Sequence, residues 1–178
     1  KFDRRLGAVA ILPLQDIEES AKELRRAIKE LHMAGGVLAP GGLAKPLGDS
    51  YFDPLYRKAE KLGCPLAIHG APSRGLGFDF FSNLIEARTL SHPILQMIQL
   101  TSVVLEGVLE RFPKLKLASL EAGCEWIPFL MDRMDMEYEH RAPQAPLLKK
   151  MPSEYMKDGR IHFHAELGEA MLPYVMER

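Results

Sequence analysis

Five short apolar runs separated by amphipathic helical stretches, with no hairpin signal between them, predict an α/β fold on parallel strands. The run Leu66 to Ile68 has no polar alternation and is bounded by Pro65 and Gly70, the pattern of a strand buried on both faces. The chain has 178 residues, whereas a complete (β/α)8 barrel typically needs about 250. The expected architecture is therefore a single domain over residues 1–178 that forms an internal part of such a barrel, truncated at both ends. An open doubly wound five-stranded sheet is the alternative. Against it, no glycine-rich phosphate loop follows the first strand.

Leu6 to Leu12 reads as the first strand, closed by Pro13. Asp16 opens a helix near capping-box spacing to Glu19, with Ile17, Ala21, Leu24, Ile28 and Leu31 as its apolar stripe. Gly35 and Gly36 read as its stop and Val37 to Ala39 as a brief strand, followed by a loop to Asp49. Asp53 is expected to cap the next helix, with Pro54 at its first position and Gly63 as its end. The strand reaching His69 follows, then a long loop from Gly70 to about Asn83. A short helix is expected over Ser82 to Leu90, and a separate apolar one from Ser91-His92-Pro93 to about Phe112. Lys114 to Leu120 is the fourth strand, Glu125 to His140 a helix, and Arg141 to Pro152 a proline-rich linker. Arg160 to Glu166 is the fifth strand, and a last helix begins at Glu169.

Composition excludes several classes of function. A formal net charge of −1 offers neither a field for nucleic acid nor a polybasic membrane patch. The longest apolar segment, Ile94 to Leu109, is interrupted by Gln96, Gln99, Ser102, Glu106 and Gly107, so no membrane span is expected. Two cysteines, Cys64 and Cys124, do not make a disulfide framework and favour a reducing compartment, the cytoplasm. The open sheet edges of a partial barrel call for a missing chain segment, a partner copy or disorder beside them, and a homo-oligomer is expected; a small-molecule substrate is expected only by the resemblance given below.

Chemistry is expected at the carboxyl ends of the strands, where α/β folds place their ligands. His69 ends its strand just before a glycine, where an imidazole ligates a metal or moves a proton; a core histidine bonded to backbone is the plainer reading. Glu121 ends the fourth strand and reads either as a general acid/base or as a cap of the following helix. Arg74 in the long loop suits a substrate carboxylate, or else solvent. His92 either faces the site or caps its helix. His162 and His164 share one strand face but read better as rim residues than as a metal pair. Cys124 reads as a buried, inert thiol.

The ordered set Leu47-Gly48-Asp49, Asp53-Pro54-Leu55, the strand to His69, His92-Pro93, Arg111 to Leu115, and Glu121 to Pro128 with Arg133 and Asp135 resembles the amidohydrolase-related (amidohydrolase 2) family, which includes relatives of aminocarboxymuconate-semialdehyde decarboxylase. The similarity runs from about Leu6 to the end of the chain. It implies a metal-dependent TIM barrel, of which this chain supplies about strands three to seven. It also implies decarboxylation or hydrolysis of a small carboxylated, often aromatic-derived compound. By the same resemblance His69 matches the strand-five histidine that ligates the divalent metal, expected to be zinc, while the first-strand and eighth-strand ligands fall outside residues 1–178. Glu121 stands where decarboxylating relatives tend to place a histidine, so hydrolysis and decarboxylation both stay open. A non-catalytic barrel piece is the alternative function.

Overall fold

The computed structural model describes residues 6–70 and 75–177. Its centre is a sheet of five parallel strands: β1 (Val9–Ile11), β2 (Gly35–Leu38), β3 (Leu66–His69), β4 (Leu117–Leu120) and β5 (Ile161–Phe163). They lie side by side in chain order. That order is the one expected of a barrel arc; a doubly wound sheet would reverse direction in the middle. Equal-handed crossovers between successive neighbours place the helices on one face.

The register separates the two faces of the sheet. Ile11, Val37, Ala67, Ala118 and His162 form one cross-strand row. His69, two residues beyond Ala67, shares their face. Val9 and Ile11, on that same face of β1, are 45% and 77% exposed. Alternating with them, Ala10, Leu38, Leu66, Ile68, Leu117 and Ile161 belong to the buried core, together with Leu24, Leu55, Leu100, Leu109 and Leu130 of the helical layer.

Helix α1 (Ile17–Lys29) starts as expected, with the Asp16 carboxylate accepting from the Glu18 and Glu19 amides at 3.1 Å. Its end differs from expectation. Lys29 is the last helical residue, and His32 takes the left-handed φ of 55°. Gly35 and Gly36 lie within β2, where they serve close packing. A Cβ on Gly35 would sit 2.5 Å from the Pro65 carbonyl oxygen, and one on Gly36 would sit 2.7 Å from Leu12 Cδ1.

Asp53 does not cap α2 (Asp53–Leu62). A short 3-10 turn over Ser50–Phe52 precedes the helix, and Asp49 caps that turn through the Tyr51 amide at 2.8 Å. The Asp53 carboxylate instead pairs with Arg111, whose guanidinium also donates to the Gly48 carbonyl at 2.7 Å.

The two helices expected on either side of Pro93 are one, α3 (Leu84–Leu105). Proline removes the hydrogen bond to the Thr89 carbonyl, but Thr89 is exposed, so the freed carbonyl is open to water. Downstream, Ser91, His92, Leu95 and Gln96 are buried, and their packing holds the helix in register through the proline. The break falls at Gly107, with φ of 66°, ahead of α4 (Val108–Arg111). After α5 (Ile127–Arg141), the proline-rich stretch leads into a helix that periodicity did not reveal, α6 (Pro152–Lys157), with Tyr155 and Met156 buried. The fifth strand is shorter than expected, and α7 (Leu172–Met176) starts three residues after Glu169.

Candidate active site

The site lies at the carboxyl ends of β3 and β4. His69 is paired with Leu120 across the two strands, which places Glu121 at the next position of the neighbouring strand end. The His69 Nε2 stands 2.8 Å from Glu121 Oε2, and its Nδ1 stands 2.9 Å from the Gly70 carbonyl oxygen. A carbonyl only accepts, so Nδ1 carries the proton donated to Gly70. With Nδ1 so engaged, Nε2 faces the Glu121 carboxylate, where a proton or a cation would bridge the two groups.

Glu121 adopts φ of 54° although it is not glycine. This left-handed conformation costs a non-glycine residue of order 1–3 kcal/mol and is commonest at functional sites. The turn it makes aims the carboxylate back across the strand end toward His69, and the helix-capping role is not taken up. Arg88 approaches the other carboxylate oxygen, with Nη2 3.5 Å from Oε1. The hydrogen bond with His69, and then the neighbouring Arg88 guanidinium, hold the Glu121 carboxyl below its ordinary range. The group is an anion at neutral pH.

His92 faces the site from the middle of α3 and does not cap the helix. Its ring centroid is 6.1 Å from that of His69, at an interplanar angle of 75°. Gly70 allows this approach, since a Cβ there would lie 3.1 Å from the His92 Cα. Burial pushes His92 below the ordinary histidine range, which leaves it neutral at pH 7. Arg74 lies outside the described residues. A cleft of about 670 Å³ opens beside the pair, lined by Arg88, His92, Glu121, Trp126, Glu166 and Glu169. His162 is exposed, and His164 pairs with Glu166 at 3.5 Å on the rim.

Several contributors carried no motif in the sequence. Arg88, on the exposed first turns of α3, belongs to no motif. Glu169, expected to begin a helix, accepts from the Cys124 amide at 2.8 Å and the Cys124 thiol at 3.0 Å, tying the segment after β5 to the turn after β4. Burial, and then the Glu169 carboxylate, push the Cys124 thiol up to about 12 from an ordinary 9.0. The buried, inert reading of Cys124 therefore has a physical cause. The folded-state value is raised, so this contribution to stability is complete below pH 9 and is lost as pH rises toward about 12. Alkylation of Cys124 should be very slow at pH 8 in the native protein. Glu169→Gln should accelerate it several-fold, and an unchanged rate would show that the carboxylate does not govern the thiol.

Metal binding is supported by part of the geometry. A histidine whose Nδ1–H is held by a carbonyl, leaving Nε2 turned toward a carboxylate, shares the orientation of metal-ligating imidazoles. Among the described residues, however, no group of three or more His, Cys, Asp or Glu side chains is placed to hold an ion. His69 fits as one member of a ligand set, not as a complete one.

This sheet order, with its candidate site at adjacent strand ends, is that of a barrel-type α/β fold. The chain matches the amidohydrolase family model over residues 1–174 and belongs to that family. It is 28% identical over 154 residues to 2-amino-3-carboxymuconate-6-semialdehyde decarboxylase of Dictyostelium discoideum, a match covering 86% of this chain and 42% of that protein. Among solved structures, 5-carboxyvanillate decarboxylase LigW from Sphingomonas paucimobilis superposes with a TM-score of 0.83 at 27% identity, over 97% of this chain and 52% of that one. A dihydroxybenzoic acid decarboxylase from Polaromonas sp. JS666, solved with manganese and 2-nitroresorcinol, gives 0.79 at 18% identity, over 96% and 54% of the two chains. The chain thus spans about half the length of these relatives, and its fold is a partial TIM barrel.

Proposed function

We propose that the protein containing this chain is a metal-dependent decarboxylase of a small aromatic or aromatic-derived carboxylate. The observation that carries the reading is the His69–Glu121 pair, 2.8 Å apart at adjacent strand ends. Family membership and the decarboxylase relatives support lyase chemistry over hydrolysis. The ion is divalent, with zinc or manganese as candidates; manganese is the ion in the dihydroxybenzoic acid decarboxylase structure. When bound, such an ion supplies charge neutralisation for an anionic substrate.

The chain's own residues do the rest. His69 offers Nε2 toward the ion, with the Gly70 carbonyl fixing its tautomer. Loss of carbon dioxide breaks a carbon–carbon bond and leaves electron density on the ring carbon, which must take up a proton. Glu121, ionised at neutral pH, is placed to take a proton from the substrate or from solvent and pass it to that carbon, with Arg88 against its opposite oxygen. Neutral His92 adds a polar wall without a second positive charge, and Arg74 is assigned to the substrate carboxylate. The setting is a cytoplasmic homo-oligomer, supported by two free, buried cysteines and by the exposed apolar face of β1.

The test is to supply the protein and Mn2+ or Zn2+ with 5-carboxyvanillate and with dihydroxybenzoates and to measure carbon dioxide release. Metal-dependent release, abolished by chelation, is expected. Hydrolysis of amide or ester substrates without carbon dioxide release would overturn the lyase assignment. Neither activity would favour a non-catalytic piece of the barrel.

A further inference from the structure

Helix α3 carries a polar stripe through an otherwise apolar stretch: His92, Gln96, Gln99 and Ser102, at i, i+4, i+7 and i+10. Gln99 accepts from the Leu47 amide at 2.8 Å, and Ser102 accepts from the Gly48 amide at 3.0 Å, so these two moor the loop after β2. Gln96 is the exception, because it reaches the strands. Its side-chain amide nitrogen donates to the Ile68 carbonyl at 2.7 Å and to the Leu120 carbonyl at 3.2 Å. Ile68 immediately precedes His69, and Leu120 immediately precedes Glu121.

We propose that Gln96 is a positioning residue whose amide clamps the carboxyl ends of β3 and β4, thereby setting the separation of His69 and Glu121. Three observations converge on this role. The residue is 0% exposed, and burying an amide is costly unless its groups find hydrogen-bond partners. The two carbonyls it holds belong to the last backbone positions before the two site residues. Beyond them Glu121 takes its left-handed turn, which nothing in the regular sheet ladder would fix. The remaining amide oxygen of Gln96 is buried and has no hydrogen-bond partner among the described residues, so Gln96 is kept in place despite a cost of about 1–3 kcal/mol for that oxygen. A residue serving only to fill the core would be replaced at less cost by methionine or leucine.

The role rests on the functional reading above for its catalytic consequence but not for its geometry, and the two are tested separately. In the wild-type protein the Gln96 side-chain NH2 protons should exchange with solvent at least about 100-fold more slowly than those of an exposed glutamine, as expected of a buried, bonded group. Gln96→Met keeps the volume and removes the donor. The carbonyl 13C resonances of Ile68 and Leu120 should then shift together, while most other resonances stay in place. In the turnover assay Gln96→Met should lower kcat about 10- to 100-fold with KM changed less than about 2-fold, the size expected of a small displacement at the reacting groups. In a Glu121→Gln background the same substitution should have an effect of less than about 2-fold, because the coupled partner is gone.

Fast NH2 exchange in the wild type, or carbonyl shifts that do not move, would overturn the clamp whatever the enzyme does. Equal losses in both backgrounds would reduce Gln96 to a packing residue. If the shifts move and no metal-dependent turnover exists at all, the clamp stands and the decarboxylase assignment fails.

Discussion

His69→Ala should reduce metal-dependent turnover at least about 100-fold while changing stability by no more than about 1 kcal/mol. The side chain is 38% exposed, so it contributes little to the core. The strand that carries it is fixed by Leu66 and Ile68, both 0% exposed, and by hydrogen-bonded neighbours on either side. What the substitution removes is an imidazole oriented by the Gly70 carbonyl and facing Glu121. Glu121 would then lose the hydrogen bond that most strongly holds its carboxyl below the ordinary range, and its apparent value should rise toward that of a free carboxylate. Circular dichroism and thermal denaturation measure the first half of this expectation, and steady-state kinetics the second. Retained turnover would remove His69 from the chemistry. A collapse of the fold would mean that the strand end depends on the ring in a way that its exposure does not suggest.

The largest effect on stability is expected from a residue far from the chemistry. Gly35→Ala places a methyl group 2.5 Å from the Pro65 carbonyl oxygen, which is backbone and has no rotamer with which to move aside. The same carbonyl accepts from the Gly36 amide at 3.2 Å, so relieving the clash stretches the junction of β2 with β3. Overpacking of this kind costs about 2–3 kcal/mol, a fall in Tm of roughly 5–10 °C for a chain of this size. Gly36→Ala meets the end of Leu12, 2.7 Å away, and then Leu24 Cδ1 at 3.1 Å. Both are side-chain termini that can rotate, and the cost should be nearer 1 kcal/mol. Thermal denaturation of the two variants gives the ranking, and a more damaging Gly36→Ala would contradict the packing described.

These glycines show where the sequence was hard to read. A glycine pair after an amphipathic helix is a reasonable stop signal, and nothing local reveals that the Pro65 backbone, thirty residues later, passes against it. Pro93 was misleading for a similar reason: its effect on a helix depends on whether the carbonyl it frees is solvated. The strand ends of the candidate site were easier. An apolar run that stops at His69 before Gly70, and another that stops at Glu121 before Gly123, mark strand ends by residue type alone. Their 2.8 Å contact was not legible, because it depends on the relative register of β3 and β4. Gln96 and Gln99 were visible as polar interruptions in an apolar helix. Their spacing from His92 was a usable sign of a buried polar face, but the carbonyls and amides they serve lie 24 to 52 residues away. Glu169 gave no local sign, since its partner Cys124 is 45 residues distant.

The proposed role of His69 is to present Nε2 to a divalent ion. Pulsed electron paramagnetic resonance on the Mn2+-loaded protein, with 15N-histidine incorporated, tests it most directly. A nitrogen coupling to manganese should be present in the wild type and absent, or clearly reduced in intensity, in His69→Ala. An undiminished coupling in the variant, or none in the wild type at saturating Mn2+, would contradict the account.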